Sequence, residues 1–312
     1  MEEKIKKRRV YMKLLRFGLA AAIVLLPPAA FAAGKKANSI DELAKMYDVS
    51  SCKSCHAKIF SEWEKSYHAA SLVGSPRTMA TIASTVKDGL LKEYTHSGAK
   101  EVKDLTVENL MICAKCHLPQ LKDATDAVAR EIAQAAIDGA AGDEDARKKL
   151  AKVGINCLIC HNQKALIHKW TDGEIDPNAV YGSKDGTHPD SKFTKLKKSA
   201  TMPESIMCGQ CHGLGPNFDL KEPTQCATLY GSYLHAYVPS GGSETCQDCH
   251  IKKDGHGHLM PGYRDPAVAK SAVKVEVDAR GYSFLPKAGD SVPTAVLTVK
   301  MTSHAGHRIP DG

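Results

Sequence analysis

Aromatic side chains are scarce in this chain: 6% of 312 residues, with two Trp. The apolar share still reaches 43%, enough for a buried core in one large domain or two ordinary ones. No low-complexity tract and no long block of like charge interrupts the chain, which excludes an intrinsically disordered protein. Long apolar runs are missing too. The run from Phe17 to Leu26 has about ten residues, half of the roughly twenty that span a bilayer.

That short run has a different meaning. Lys4, Lys6, Lys7, Arg8, Arg9, Lys13 and Arg16 precede it, and Pro27, Pro28 and the small-x-small stretch Ala30-Phe31-Ala32 follow it. A basic region, an apolar stretch and a small-residue cleavage site are the three parts of a secretory signal peptide, placed here at residues 1–32. Met12 also serves as a start, since the signal is complete from there. No Cys lies near the cleavage site, which argues against a lipid anchor.

Export changes the charge reading. The whole chain carries 42 bases and 35 acids, a net of +7. Without the signal's seven bases and two acids, 35 and 33 remain, a net of +2. A nucleic-acid partner therefore loses its electrostatic warrant.

What the chain has in abundance is Cys, eleven of them, and His, fourteen. In an exported chain this number of Cys suggests disulfides, but the spacing says otherwise. Ten fall in five copies of Cys-x-x-Cys-His: Cys52, Cys55 and His56; Cys113, Cys116 and His117; Cys157, Cys160 and His161; Cys208, Cys211 and His212; Cys246, Cys249 and His250. Composition alone yields about 0.02 such motifs per chain. Two thiols at this spacing add to the two vinyl groups of haem, and the adjacent His reaches the iron as proximal ligand. A Cys₄ zinc site needs no His after every pair, and a thioredoxin-like redox site uses a single pair. The expected cofactor is five covalently bound haem c groups. Their propionates, about ten charges, would make the exported protein acidic, near −8 before the iron charges.

Nine His remain for the opposite faces of the irons: His68, His96, His168, His188, His235, His256, His258, His304 and His307. His68 follows His56 in a segment that reads helical from Ile59, Trp63 and Tyr67. A rigid helix carries it about 18 Å along the axis, so it should serve a neighbouring haem rather than its own. His168, about 10 Å beyond His161 on the same reasoning, should do likewise.

The stretch CKSCHAKIFSEWEKSYHAA resembles the opening module of the multihaem cytochrome c superfamily. That group includes tetrahaem carriers, hydroxylamine oxidoreductase, pentahaem nitrite reductase and octahaem tetrathionate reductase. The resemblance implies a distal role for His68. ETCQDCHIKKDGHGHLMPG is similar to another of its segments and implies one for His258. LTVKMTSHAGHRIPDG resembles a segment that follows β-strands and implies one for His307. Gly186-Thr187-His188-Pro189-Asp190, about twenty residues before a haem motif, is also a familiar arrangement there. The expected distal set is His68, His168, His188, His258 and His307, with His96 in reserve. Cys226, the odd cysteine, reads as a buried apolar residue before a free thiol, an intermolecular link or an iron ligand.

The expected fold is mainly α with much irregular loop and few strands. Residues 33–49 form a leading segment with a short helix. Residues 50–265 form a pentahaem domain whose porphyrins take the place of a conventional core. Helical pattern is clearest near 104–118, 122–138 and 143–153. The Ala-rich, charged stretch 122–153 reads as a solvated spacer or docking face. Residues 266–312 begin a small β domain, with Val273, Val275 and Val277, then Leu297, Val299 and Met301, alternating with polar residues. Two or three strands are not independently stable. The expectation is therefore a truncated reading frame, with a recoded UGA codon for selenocysteine as one cause.

These features point first to an exported electron carrier, periplasmic or at the outer surface or extracellular, meeting other redox proteins by transient contact, with no transmembrane segment after the signal. The alternative is a multihaem reductase of a small oxyanion or nitrogen compound at a five-coordinate iron, with Tyr230, Tyr233 and His235 near its pocket. All five motifs end in His, so the Lys-for-His signature of pentahaem nitrite reductase is absent. A purely structural role in stacking haems ranks last.

Overall fold

A computed structural model describes residues 35–94, 97–163, 172–213, 227–284, 287 and 292–309. The expected signal peptide at 1–32, His96, His168 and Cys226 lie outside the described residues. The chain divides into two units, Met1–Lys36 and Ala37–Gly312. The second is mainly helical, with two small sheets and much loop.

Local signals explain where the helices start. Helix α1 (Ile40–Met46) begins at Ser39, whose hydroxyl accepts the Glu42 N–H. The first Cys-x-x-Cys-His motif lies on α2 (Cys52–Cys55), and α3 (Ala57–Glu64) follows at once. Helix α4 (Pro76–Ser84) combines a Ser75 cap with Pro76 in its first turn. A reciprocal Thr106–Asn109 box starts α5 (Val107–His117), which carries the second motif. Helices α6 (Asp126–Ala140) and α7 (Glu144–Leu150) are joined by a short turn, where Gly142 has a φ of +109° and Asp143 caps α7.

The α6–α7 stretch corrects one expectation. It is not a solvated spacer. Val128, Ala129, Ile132, Ala133, Ala135 and Ala136 of α6 are buried, against Ile40 and Leu43 of α1, Met79 of α4, and Leu105, Leu110, Leu118, Leu121 and Leu150. A conventional apolar core therefore fills this part of the protein, contrary to a lobe cored by porphyrin alone. Each buried Leu or Ile contributes about 1.5–3 kcal/mol. Alanine hides such a face from a sequence reading, because it is small and weakly apolar, yet it allows close helix approach. Contact is tight enough that a Cβ on Gly139 would lie 2.6 Å from the Met79 methyl.

The third motif occupies α8 (Cys157–His161). Asn156 caps it and also donates to the Tyr47 carbonyl at 2.8 Å, which ties α8 to the end of α1. A three-stranded sheet follows, β1 (Ala179–Gly182), β2 (Gly186–Thr187) and β3 (Lys195–Lys198), in the order β1-β3-β2. Strands β1 and β3 run parallel, with Val180 opposite Leu196, while β2 is antiparallel to β3. The fourth motif begins on α9 (Ser205–Gly209), and Tyr230 of α10 (Leu229–Ser232) packs on it. The fifth motif ends in a π-helical turn, Asp248–Lys252.

Helix α11 (Pro266–Ala272), capped by Asp265, leads into a hairpin of β4 (Val273–Phe284) and β5 (Val292–Ser303). Its register pairs Val275 with Met301, Val277 with Val299 and Ala279 with Leu297. One face is thus apolar across these three pairs, and its larger side chains are more than half exposed. The hairpin leads directly into the loop that carries His307.

Candidate haem-ligand sites

Four of the five motif histidines face a second histidine. His56 lies opposite His188 with ring centroids 6.5 Å apart and planes 10° from parallel. His161 faces His258 at 6.2 Å and 28°. His250 faces His307 at 6.2 Å and 16°. His212 faces His68 at 6.1 Å, with planes nearly perpendicular at 82°. A ring nitrogen lies about 1.1 Å from its centroid and binds a metal at about 2 Å, so two imidazoles sharing one iron have centroids about 6.2 Å apart. The residues fit a six-coordinate haem iron in spacing as well as in kind.

Hydrogen bonding supports the fit. A carbonyl can only accept, so an imidazole Nδ1 bonded to one must carry the proton, leaving the Nε2 lone pair for a metal. His161 Nδ1 meets the Tyr181 carbonyl at 2.8 Å, His188 that of Phe193 at 2.9 Å, and His250 that of Pro261 at 3.0 Å. His307 Nδ1 meets the Arg308 carbonyl at 3.0 Å, and His117 Nδ1 that of Ser71 at 3.1 Å. The small sheet has a role here. The carbonyl of buried Tyr181 on β1 accepts the hydrogen bond from His161 Nδ1, and Asn162 donates to the Ala179 carbonyl on the same strand at 2.8 Å.

Burial disfavours the charged form of several rings. It pulls His212 down to about 4, with the neighbouring His68, His250, His117 and His307 adding to the effect. His68, His161, His250 and His258 are lowered for the same first reason.

The partner assignment is one of exchange between distant segments. His68 follows the first motif and faces the fourth; His258 follows the fifth and faces the third. His68 does not ride on a continuous helix, however. Helix α3 ends at Glu64, and turns carry the chain to His68. The carbonyl of His68 accepts the Ile155 N–H at 2.9 Å, and the Trp63 indole donates to the Ile155 carbonyl at 2.8 Å. Gly154 makes this approach possible, since a Cβ there would lie 2.2 Å from the Ala69 carbonyl oxygen.

Cysteines of different motifs also meet. Cys52 lies beside Cys157, Cys116 beside Cys211, and Cys208 beside Cys246. The Cys246 N–H also donates to Ser205 Oγ on the helix of the fourth motif at 3.1 Å, and Ser71 Oγ, three residues after His68, donates to the His117 carbonyl at 2.7 Å. The motifs are therefore joined 1 to 3, 2 to 4 and 4 to 5. The His68–Ile155 bond links the approach to motif 3 with the partner of His212. Motif 4 stands at the centre of this set.

His117 faces no second histidine among the described residues, and both His96 and His168 lie outside them. His235 and His304 are exposed, and neither they nor His256 face a motif histidine among the described residues. Tyr230, Tyr233 and Tyr237 form a stack with centroids 6.1 and 5.6 Å apart, and His235 lies outside it. Among the described residues no group of three or more His, Cys, Asp or Glu gathers as a metal cage. No helix among them is long and apolar enough to cross a membrane. No family model matches the chain, and neither a curated protein nor a solved structure matches it.

Proposed function

We propose that this chain is an exported pentahaem c-type cytochrome of the multihaem superfamily it resembles, and that it carries electrons between redox proteins outside the cytoplasm. The observation that carries this reading is the set of four histidine pairs. Each joins a Cys-x-x-Cys-His imidazole to one from another segment at the spacing of a shared iron.

Bound haem iron would supply one-electron transfer, with bis-histidine ligation favouring low potential. The chain's own part is placement. At the four paired motifs, imidazoles from both sides would hold the iron and leave no position for substrate. The fold brings neighbouring motifs together: motif 1 with 3, and motifs 2 and 5 both with 4. The His68–Ile155 bond ties these two groups together. An electron entering at one motif then has short steps to the others. Partners would meet the surface through small transient contacts, in the periplasm or at the cell exterior.

The alternative, reduction of a small oxyanion or nitrogen compound, needs an open iron. Four motifs have a histidine opposite, so this reading narrows to the second motif, at His117. Pyridine haemochrome analysis and electron paramagnetic resonance of the oxidised protein test both. The carrier reading expects five haems and only low-spin ferric iron. A high-spin signal that shifts on adding nitrite, hydroxylamine or selenite would replace it with the reductase. A preparation without covalent haem would overturn both.

A further inference from the structure

The loop that presents His258 has little to hold its own shape. Between Lys253 and Leu259 it makes two single turns, Lys253–Gly255 and Gly257–Leu259. Four residues in and beside it are in the left-handed region: Asp254 at φ +52°, Gly255 at +70°, Gly257 at +56° and Met260 at +47°. Asp254 and Met260 hold that conformation at a cost in steric strain, so a contact from elsewhere must select it.

Glu62 provides such a contact. It lies on α3, 196 residues away in sequence, and its Oε2 accepts the His258 N–H at 2.9 Å. The carboxylate occupies the space beside Gly257 that a side chain would need, since a Cβ there would lie 2.1 Å from Oε2. Lys58 reaches the other oxygen only at 3.9 Å, and its own side chain is largely exposed, so it competes weakly. Glu62 itself is one-fifth exposed. A charge-assisted hydrogen bond of this kind is stronger than a neutral one.

We propose that Glu62 is the positioning residue for His258, and that Glu62 and Gly257 together form the latch that keeps the sixth ligand on the iron of the third motif. The proposal rests on the haem ligation set out under Proposed function. Glu62 touches neither the iron nor the His258 ring; it acts through the backbone on which the ring is carried. Without the latch, the loop relaxes from its left-handed conformation and the imidazole leaves the position opposite His161.

The test is carbon monoxide binding to the reduced, haem-loaded protein, with haem counted on the same samples. Carbon monoxide takes only an iron whose sixth position is free or easily vacated. His258→Ala sets the reference and should bind about one more carbon monoxide per chain than the parent. If it binds no more, His258 is not a ligand, and the haem-ligand assignment fails rather than the latch. Glu62→Ala should match His258→Ala in extra uptake with its haem content unchanged. Glu62→Gln keeps an oxygen acceptor and should stay with the parent. Gly257→Ala, which pushes the carboxylate away without removing it, provides a second route should Glu62→Ala assemble poorly, and should gain uptake as well. Parent-like uptake in haem-loaded Glu62→Ala or Gly257→Ala overturns the latch. So does extra uptake in Glu62→Gln.

Discussion

Replacing Gly154 by Ala should dislodge His68 without touching any ligand. The new Cβ would sit 2.2 Å from the Ala69 oxygen, 2.9 Å from its carbonyl carbon and 3.2 Å from the His68 oxygen. All three are backbone atoms, so no side chain can rotate aside. Ordinary contact at about 3.4 Å requires the two segments to part by about 1.2 Å. Two hydrogen bonds resist that movement: Ile155 N–H to the His68 carbonyl at 2.9 Å and Gln120 Nε2 to the Gly154 carbonyl at 2.8 Å. Overpacking costs about 1–3 kcal/mol and each lost bond about 1 kcal/mol, so the substitution should destabilise by about 3–5 kcal/mol. On the proposed ligation, an iron–imidazole bond of about 2 Å would not survive an extra ångström, so an iron held by His212 should lose His68 as its partner. Thermal melting and electron paramagnetic resonance of the same sample give the two readouts. Gly154→Ala with the parent's melting temperature and an undiminished low-spin signal would refute the reasoning, because it would show that residues 68–69 and 154–155 are not in enforced contact.

Other outcomes follow from the same geometry. His68→Ala, His188→Ala, His258→Ala and His307→Ala should each convert one ferric iron from low to high spin, while His235→Ala and His304→Ala should convert none; resonance spectra of the six variants check this. Because the His68 and His212 planes are 82° apart and the other three pairs lie within 28° of parallel, one low-spin signal should be far more anisotropic than those three. Near-perpendicular ligand planes leave two iron d orbitals almost equal in energy, and that signal should vanish in His68→Ala. Trp63→Phe removes the donor to the Ile155 carbonyl at 2.8 Å and should cost about 1–2 kcal/mol, read as a shift in denaturant midpoint at unchanged slope.

The five Cys-x-x-Cys-His motifs were legible in sequence because their spacing is a local feature. Two thiols and a ligand must lie within five residues, and that spacing survives in any fold. The helical patterns near 104–118, 122–138 and 143–153 were legible for a similar reason, and α5, α6 and α7 fall in or close to those stretches. The hairpin showed in the alternation of Val273, Val275 and Val277, because a strand exposes its period directly.

The partner of each motif histidine is a different kind of fact. Nothing within reach of His68 in sequence points to His212, and nothing near His258 points to His161. Beside those pairings lie contacts between distant segments: Ile155 N–H to the His68 carbonyl and His258 N–H to the Glu62 carboxylate. The burial of α6 was hidden likewise, since alanines show no amphipathic stripe until neighbouring helices close on them. Sequence by itself determined which side chains can bind and where helices and strands begin, because those are matters of covalent spacing and local hydrogen bonding. Tertiary structure alone decided which histidine faces which and which motifs touch, because those follow from packing between segments up to 196 residues apart.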